Sequence, residues 1–123
     1  PDKQVVADSA EELQLPGKRG YLGILPGHAP LITELDVGEL SYCRDGKTTH
    51  LALAWGFAEV LPDRVTILAE TAERAEEIDA PRAQRARDRA EERLKKLEPG
   101  TDFPRAGSAL RRALARLLVA EKK

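Results

Sequence analysis

Two rows of arginines in the last third of the chain are the residues with the clearest capacity for chemistry. The members of each row are spaced by seven and then four residues, which places them on one face of a helix. The first row is Arg82, Arg89 and Arg93, and the second row is Arg105, Arg112 and Arg116. If two helices brought the rows together, the guanidinium groups would repel one another and a bound anion would relieve that repulsion. Solvated faces with ion pairs are commoner, so the spacing alone leaves both interpretations open.

The other reactive residue types do not form a recognisable active site. His28 and His50 are the only histidines and Cys43 is the only cysteine, which are too few ligands at suitable spacing for a metal site. No third group is placed to orient a Cys–His pair, and the sequence has no nucleophile elbow, phosphate-binding loop or dinucleotide fingerprint. We therefore predict a protein that is not an enzyme and requires no cofactor, with His28 as a structural residue.

The composition describes a globular chain with two oppositely charged parts. Hydrophobic residues make up 41% and charged residues 33%, and no apolar run approaches the roughly 20 residues of a membrane span. The single cysteine fits a reducing compartment. Residues 1–78 hold 7 Lys/Arg against 14 Asp/Glu, a net charge of −7, whereas residues 79–123 hold 13 against 7, a net charge of +6. This division predicts an attraction between the two parts that salt weakens.

The first part has the pattern of an antiparallel β structure. Its short segments alternate polar and apolar residues or are rich in β-branched side chains, and turn residues separate them. The predicted strands are Gln4–Ala7, Glu12–Leu15, Glu39–Arg44, Thr48–Ala54, Gly56–Leu61 and Arg64–Ala69. Asp45 and Gly46 suit the positive φ angles of a tight hairpin turn. The pattern predicts a β-sandwich domain over residues 1–78.

The second part, residues 79–123, has the pattern of a helical hairpin. Asp79 is a suitable N-cap, and Pro81 follows in the first turn, where its missing N–H costs little. We expect the first helix to end near Leu97, a break in the helix over residues 98–104, and a second helix from about Arg105 to Glu121. The predicted fold class is therefore α+β, an N-terminal antiparallel β-sandwich followed by a C-terminal α-helical hairpin.

The apolar faces of the two helices suggest that the hairpin is held weakly. The stripe on the first helix is Ala83, Ala86, Ala90, Leu94 and Leu97, and that on the second is Leu110, Leu114, Leu117 and Leu118. A stripe of methyl groups buries little apolar area, and isolated helices of this length are marginal in water. The hairpin is therefore predicted to be able to change its position.

Residues 20–35 combine glycine and proline with large apolar side chains. Glycine and proline indicate a surface loop, whereas the leucines and isoleucines belong in a core or an interface. We interpret the segment as a rigid loop that docks on a partner, because an exposed apolar patch on a soluble protein marks an interaction site. The partner-contact residues are predicted to be Tyr21, Leu22, Leu25, Pro26, His28 and Pro30.

Four ordered motifs are similar to those of the epsilon subunit of bacterial F-type ATP synthase. They are GYLGILPGHAPL at 20–31, WGFAEV at 55–60, DRVTILA at 63–69 and IDAPRA at 78–83. The resemblance spans nearly the whole chain and implies the same sandwich-plus-hairpin fold. It also implies a rotor subunit whose sandwich contacts the gamma subunit and the c-ring, at the cytoplasmic face of the bacterial plasma membrane. It implies no direct insertion into the membrane.

The same resemblance implies a regulatory role for ATP. Ile78, Asp79, Arg82 and Ala83 match the ATP-binding motif of some family members. Glu73 lies at the family's upstream acidic position, and the basic positions around the nucleotide are matched by Arg89, Arg112 and Arg116. ATP would favour a folded hairpin, and an extended hairpin would reach the catalytic head subunits and block ATP hydrolysis.

Two positions depart from the family pattern, and two other functions stay open. Relatives usually begin with a strand before the position of Pro1, which suggests a trimmed chain, and many have an acidic residue where this chain has Tyr21. One alternative is a structural coupling subunit without useful ATP affinity. The other, which ignores the resemblance, is a sandwich module with a basic hairpin that binds nucleic acid. Aromatic residues are only 4% and none interleaves the basic run, so we expect no nucleic-acid partner.

Overall fold

The computed structural model describes residues 3–6, 12–25, 30–62, 64–96 and 98–122, and these form a sheet followed by two helices. The strands are β1 (Lys3–Val6), β2 (Glu12–Gly17), β3 (Gly20–Ile24), β4 (Leu31–Leu35), β5 (Gly38–Arg44), β6 (Lys47–Leu61) and β7 (Arg64–Arg74). A short 3₁₀ helix (Ala75–Glu77) leads into α1 (Ala80–Lys95) and α2 (Phe103–Ala120). The predicted fold class, a β-sandwich followed by a helical hairpin, is confirmed.

The long strand β6 organises the sheet. It pairs with β7 on one side, and on the other side it pairs with β5 through its first half and with β4 through its second half. β2 joins β5 to β3, and β1 covers the outer edge of β7, all with antiparallel register. The sheet thus folds over a core that includes Leu13, Leu15, Leu35, Leu40, Leu53, Val60 and Ile67.

The turn between β5 and β6 follows the sequence prediction. Asp45 has a φ of 53° and Gly46 a φ of 77°, the positive values that a two-residue hairpin turn requires. Gly56 meets a different requirement, since a Cβ there would collide with the backbone carbonyl oxygen of Leu68 on β7. Trp55, immediately before it, also has a positive φ of 42°, which interrupts the regular strand geometry at the middle of β6.

The interpretation of residues 20–35 as a loop is wrong for most of the segment. Its two ends form β3 and β4, and they are strands because they pair with β2 and β6 and cover the core with Leu22, Ile24 and Leu35. Residues 26–29 lie outside the described part of the chain. The separation of Thr48–Ala54 from Gly56–Leu61 is also wrong, because β6 continues through Trp55 with unchanged register against β7.

Both helices begin at an aspartate cap, and α2 begins earlier than predicted. The Asp79 side chain accepts the backbone N–H of Arg82, which confirms the predicted cap of α1. Asp102 accepts the backbone N–H of Arg105 in the same way, so α2 starts at Phe103. The expected break through residue 104 is wrong because Pro104 lies in the first turn, where a helix tolerates proline.

The leucine stripe predicted for α2 is also wrong in part. Leu114 and Leu118 are nearly half exposed, and the buried residues are Ala106, Ala113, Ala115 and Val119. Small residues are buried because α2 packs against both α1 and the sheet, so close approach on two sides excludes large side chains. The matching residues on β6 are Ala52 and Ala54, which point to the helix while Leu51 and Leu53 point to the core. Hence four consecutive residues of β6 are buried.

Candidate functional site

The site begins at the junction between the sandwich and the hairpin. Ile78 is buried against Ala52, Ala75 and Val119, which anchors the chain just before α1. Asp79 follows and caps the helix, with its Oδ1 atom 3.1 Å from the backbone nitrogen of Arg82. The buried isoleucine and the cap together fix the direction in which α1 leaves the sheet, and therefore where the arginines of α1 lie.

A cavity of about 480 Å³ opens between this junction, the end of β7 and the two helices. Its lining residues are Thr71, Glu73, Glu77, Asp79, Arg82, Ala83, Ala86, Arg89 and Arg116. Four elements contribute to the wall, β7 and the 3₁₀ helix on one side and α1 and α2 on the others. The cavity therefore exists only while the hairpin is folded on the sandwich.

Three arginines and three carboxylates face this cavity, and they are not equivalent. Arg116 is already paired, with its Nε atom 2.6 Å from Oε1 of Glu73. Within the part of the chain that the structure describes, the guanidinium groups of Arg82 and Arg89 have no ion pair. Two free cationic groups on the wall of a cavity are suited to bind an anion such as a phosphate chain.

Two of the three carboxylates accept hydrogen bonds from the backbone. Asp79 accepts the N–H of Arg82, and Glu77 accepts the N–H of Arg74 at 3.0 Å. These bonds hold the acidic side chains at the helix start, whereas Glu73 is held only through Arg116 among the contacts of the described residues. An anion in the cavity would therefore compete with Glu73 for Arg116.

The structure brings together most of the residues suggested from the sequence. Glu73, Asp79, Arg82, Ala83, Arg89 and Arg116 all line the cavity. Ile78 lies behind the wall, and Arg112 lies in an adjoining cleft, where its guanidinium carbon is 5.4 Å from the centre of the Trp55 ring. Arg93 and Arg105 do not line the cavity, so neither arginine row contributes all of its members to it.

Two polar wall residues, Thr71 and Glu77, were not predicted from the sequence. Thr71 and Glu73 are two residues apart on β7 and so face the same side of the sheet, toward the hairpin. Glu77 belongs to the 3₁₀ helix that the sequence pattern did not reveal. The alternation along β7 is the signal that could have found Thr71, once the hairpin was known to cover that face.

The two parts of the chain match two family models. Residues 1–75 match the beta-sandwich domain of the ATP synthase delta/epsilon chain, and residues 76–121 match its long alpha-helix domain. The chain belongs to the ATP synthase delta/epsilon chain family. The resemblance that the four motifs indicated is thus confirmed, while the division at residues 78 and 79 stays a prediction.

Individual relatives in the delta/epsilon family agree with this assignment. The ATP synthase epsilon chain of Koribacter versatilis is 71% identical over 99 residues, covering 80% of this chain and 70% of the relative. That of Geotalea daltonii is 52% identical over 123 residues, covering 99% and 89%. A chain from the structure of Euglena gracilis mitochondrial ATP synthase, OSCP/F1/c-ring in rotational state 1, has a TM-score of 0.77 at 23% identity. It covers 93% of this chain and 71% of its own length, and it shows a shared fold.

The described members of the predicted partner-contact set lie in β3 or in the residues next to β3 and β4. Tyr21 and Leu25 are 60% and 64% exposed, Pro30 is exposed, and Leu22 is half-buried against the core. Pro26 and His28 lie outside the described residues. The sequence did not reveal a neighbouring apolar face on β4, β6 and β7, formed by Ile32, Phe57 and Leu68, all exposed.

Two other features, a metal-binding cluster and a membrane-spanning helix, are absent from the described residues. No group of three or more His, Cys, Asp and Glu side chains in these ranges is arranged to hold a metal ion. No helix among the described residues is both long and apolar enough to cross a membrane.

Replacing Asp79 with alanine tests the role of the cap in this epsilon chain. We expect the variant to lose about 1 kcal/mol of stability in α1, because the backbone N–H of Arg82 would lose its acceptor and the start of the helix would lose a negative charge. Hydrogen exchange of residues 80–95 measures the effect. Asp79→Asn is the matched control, since its amide oxygen still caps the helix. Exchange in the alanine variant equal to that of wild type would show that the cap does not matter.

Proposed function

We propose that this epsilon chain is a rotor subunit of the central stalk of F-type ATP synthase whose hairpin regulates ATP hydrolysis and binds ATP in its folded form. The observation that carries the proposal is that Arg82 and Arg89 face a cavity that only the folded hairpin completes, and that neither has an ion pair among the described residues. The subunit itself is non-catalytic and requires no cofactor. ATP acts on it as a regulatory ligand.

A ligand in the cavity would stabilise the folded hairpin by mass action. The wall is shared among β7, α1 and α2, so ATP would bind the folded state and not the extended one. The triphosphate would lie against Arg82, Arg89 and Arg116, and the adenine and ribose against the turn at Ile78 and Asp79. Arg112 is adjacent and would contribute its positive charge. Ala83 provides a wall without a side chain large enough to obstruct the ligand.

The limited contact between hairpin and sandwich supports a mobile hairpin. The cluster that joins them contains Ala52, Ala75, Ile78 and Val119, with Ala120 packed against it. Alanine methyl groups bury little area, so the folded and extended states need differ by only a few kcal/mol. The negative sandwich would attract the positive hairpin, whereas acidic surfaces on the catalytic head would compete for it.

The sandwich would carry the coupling role. Its exposed apolar residues, which include Tyr21 and Leu25 at one edge and Ile32, Phe57 and Leu68 on one face, are suited to buried protein interfaces. We assign these surfaces to the gamma subunit and the c-ring. The chain would then lie peripherally at the cytoplasmic face of the plasma membrane.

One observation favours a second candidate, a structural coupling subunit without useful ATP affinity. Glu73, Glu77 and Asp79 line the same cavity as the three arginines, so the formal charges of the wall balance. A triphosphate would meet less attraction there than at a purely basic site.

Calorimetric titration of the purified chain with ATP separates the two candidates. The regulatory proposal predicts saturable binding of one ATP at or below millimolar concentration, with co-purification of the chain with gamma and the c-ring. Absence of binding at millimolar ATP, with assembly intact, would leave the structural role alone. Absence of co-purification would overturn both.

A further inference from the structure

A second ion pair joins the hairpin to the sandwich, away from the cavity. Nη2 of Arg111 on α2 lies 2.7 Å from Oδ1 of Asp36, which stands between β4 and β5. The Asp36 side chain is only 24% exposed, and its Oδ1 also accepts the backbone N–H of Val37 at 2.8 Å. A carboxylate held by its own backbone loses little freedom when it pairs, which favours a lasting contact.

The two ion pairs of α2 lie on opposite sides of β6. Glu73, which binds Arg116, is on β7 and pairs with Ala52 of β6 in the sheet. Asp36 lies on the other side, between the Leu35–Gly56 and Gly38–Leu53 pairs of β4 and β5 with β6. The helix therefore crosses β6 with one carboxylate contact on each side.

The Asp36 side of this crossing is also where the sheet is irregular. The ladder partner of β6 changes there from β4 to β5, and Trp55 opposite has its positive φ of 42°. The consecutive residues Arg111 and Arg112 contact Asp36 and the Trp55 ring respectively. Thus α2 contacts the sheet at the place where the ladder partner of β6 changes from β4 to β5.

We propose that Asp36 and Arg111 form a latch that holds the hairpin folded without nucleotide, separately from the anion cavity. Neither residue lines the cavity, so the latch and the ligand would act additively on the same equilibrium. The latch is a property of the folded hairpin and does not depend on the proposed ATP binding. Opening the hairpin would require both this contact and the Arg116–Glu73 contact to break.

The latch should open in acid. The hydrogen bond from Arg111 is the largest effect holding the pKa of Asp36 below its ordinary value of 3.8, with the Val37 N–H and the charge of Lys18 acting in the same direction and burial opposing them. Two cationic side chains act on Asp36, Arg111 from α2 and Lys18 from the β2–β3 turn. Lys18 also pairs with Glu34. Because docking lowers this pKa, the contribution of the latch is complete above about pH 3.8 and disappears as the pH falls through the lowered value.

Hydrogen exchange of α2 in the full chain without nucleotide tests the latch. We expect Asp36→Asn to speed exchange of residues 103–120 about two- to fivefold, the effect of a part-exposed ion pair on an opening equilibrium. Asparagine keeps an oxygen for the Val37 N–H, so only the charge is removed. Fluorescence of Trp55, the single tryptophan, reports separation from Arg112 independently.

Controls distinguish the latch from a general loss of stability. Asp88→Asn removes a carboxylate that bonds only within α1 among the described contacts, and it should leave exchange in α2 unchanged. In an Arg111→Gln background, Asp36→Asn should not change the exchange of α2 further. In the wild-type background, Asp36→Asn should no longer speed exchange at pH values below the pKa of Asp36. Wild-type exchange rates in Asp36→Asn, or an undiminished effect when Arg111 is absent, would overturn the proposal. ATP is absent throughout, so the outcome is independent of the proposed nucleotide site.

Discussion

Replacing Arg82 with alanine is expected to weaken ATP binding by the purified chain about 10- to 100-fold. Arg82 faces the cavity without an ion pair among the described residues, so its full charge is available to a phosphate. A charge-assisted hydrogen bond of this kind contributes about 1.5–3 kcal/mol, which corresponds to that range of affinity. The dissociation constant is measured by calorimetry for wild type and variant under identical salt.

Arg85 provides a matched control for this change. It lies on the same helix, is exposed and does not line the cavity, so Arg85→Ala removes the same charge without removing a ligand contact. We expect its ATP affinity to stay within about twofold of wild type, the change that long-range charge alone supports. If Arg82→Ala and Arg85→Ala weakened binding equally, the ATP would be attracted by the basic hairpin in general and the proposed site would be wrong.

Deletion of residues 80–123 is expected to raise ATP hydrolysis by the assembled synthase several-fold. The deletion removes the element that would extend into the catalytic head, and the net charge of +6 over residues 79–123 suits an acidic surface there. The measurement is the steady-state rate of ATP hydrolysis by the purified complex containing the truncated chain. The rise should be largest at low ATP, where the folded hairpin is least stabilised.

The truncated sandwich needs a control for its own folding, because the deletion exposes the face of β6 that α2 covers. Its residues Ala52 and Ala54 are small, so we expect the sandwich to remain folded and to co-purify with gamma in normal amounts. Hydrolysis rates are therefore compared per assembled complex. An unchanged rate with normal assembly would contradict a regulatory hairpin and leave only the coupling role.

Local chemistry explains which parts of the fold could be predicted from the sequence. The Asp45–Gly46 turn and the Asp79 cap depend on neighbouring residues, and both were predicted correctly. The sequence pattern predicts a loop at 20–24 and 31–35 because glycines lie in the first segment and prolines lie between the two. Their strand pairing depends on partners elsewhere in the chain, which the local pattern does not show. The prediction that Leu114 and Leu118 are buried is wrong for the same reason. A helical period predicts one buried face, whereas α2 packs against both α1 and the sheet.

The candidate site shows the same division between local and distant information. Spacing placed arginines on a face of each helix but could not select Arg82, Arg89 and Arg116 from the six, because that choice depends on how the helices pack on β7. The contact between Asp36 and Arg111 joins residues far apart in the chain, and no pattern around either residue indicates it. Long-range ion pairs of this kind become visible only when the topology is known.

Hydrogen exchange of α2 measures whether ATP binds the folded hairpin and holds it on the sandwich. Exchange of residues 103–120 is compared in the full chain with and without ATP, for wild type and Arg82→Ala. With ATP at 100 times its dissociation constant, we expect up to about a hundredfold slower exchange in wild type and much less slowing in the variant at the same concentration. Identical exchange of wild-type α2 with and without millimolar ATP would contradict such binding.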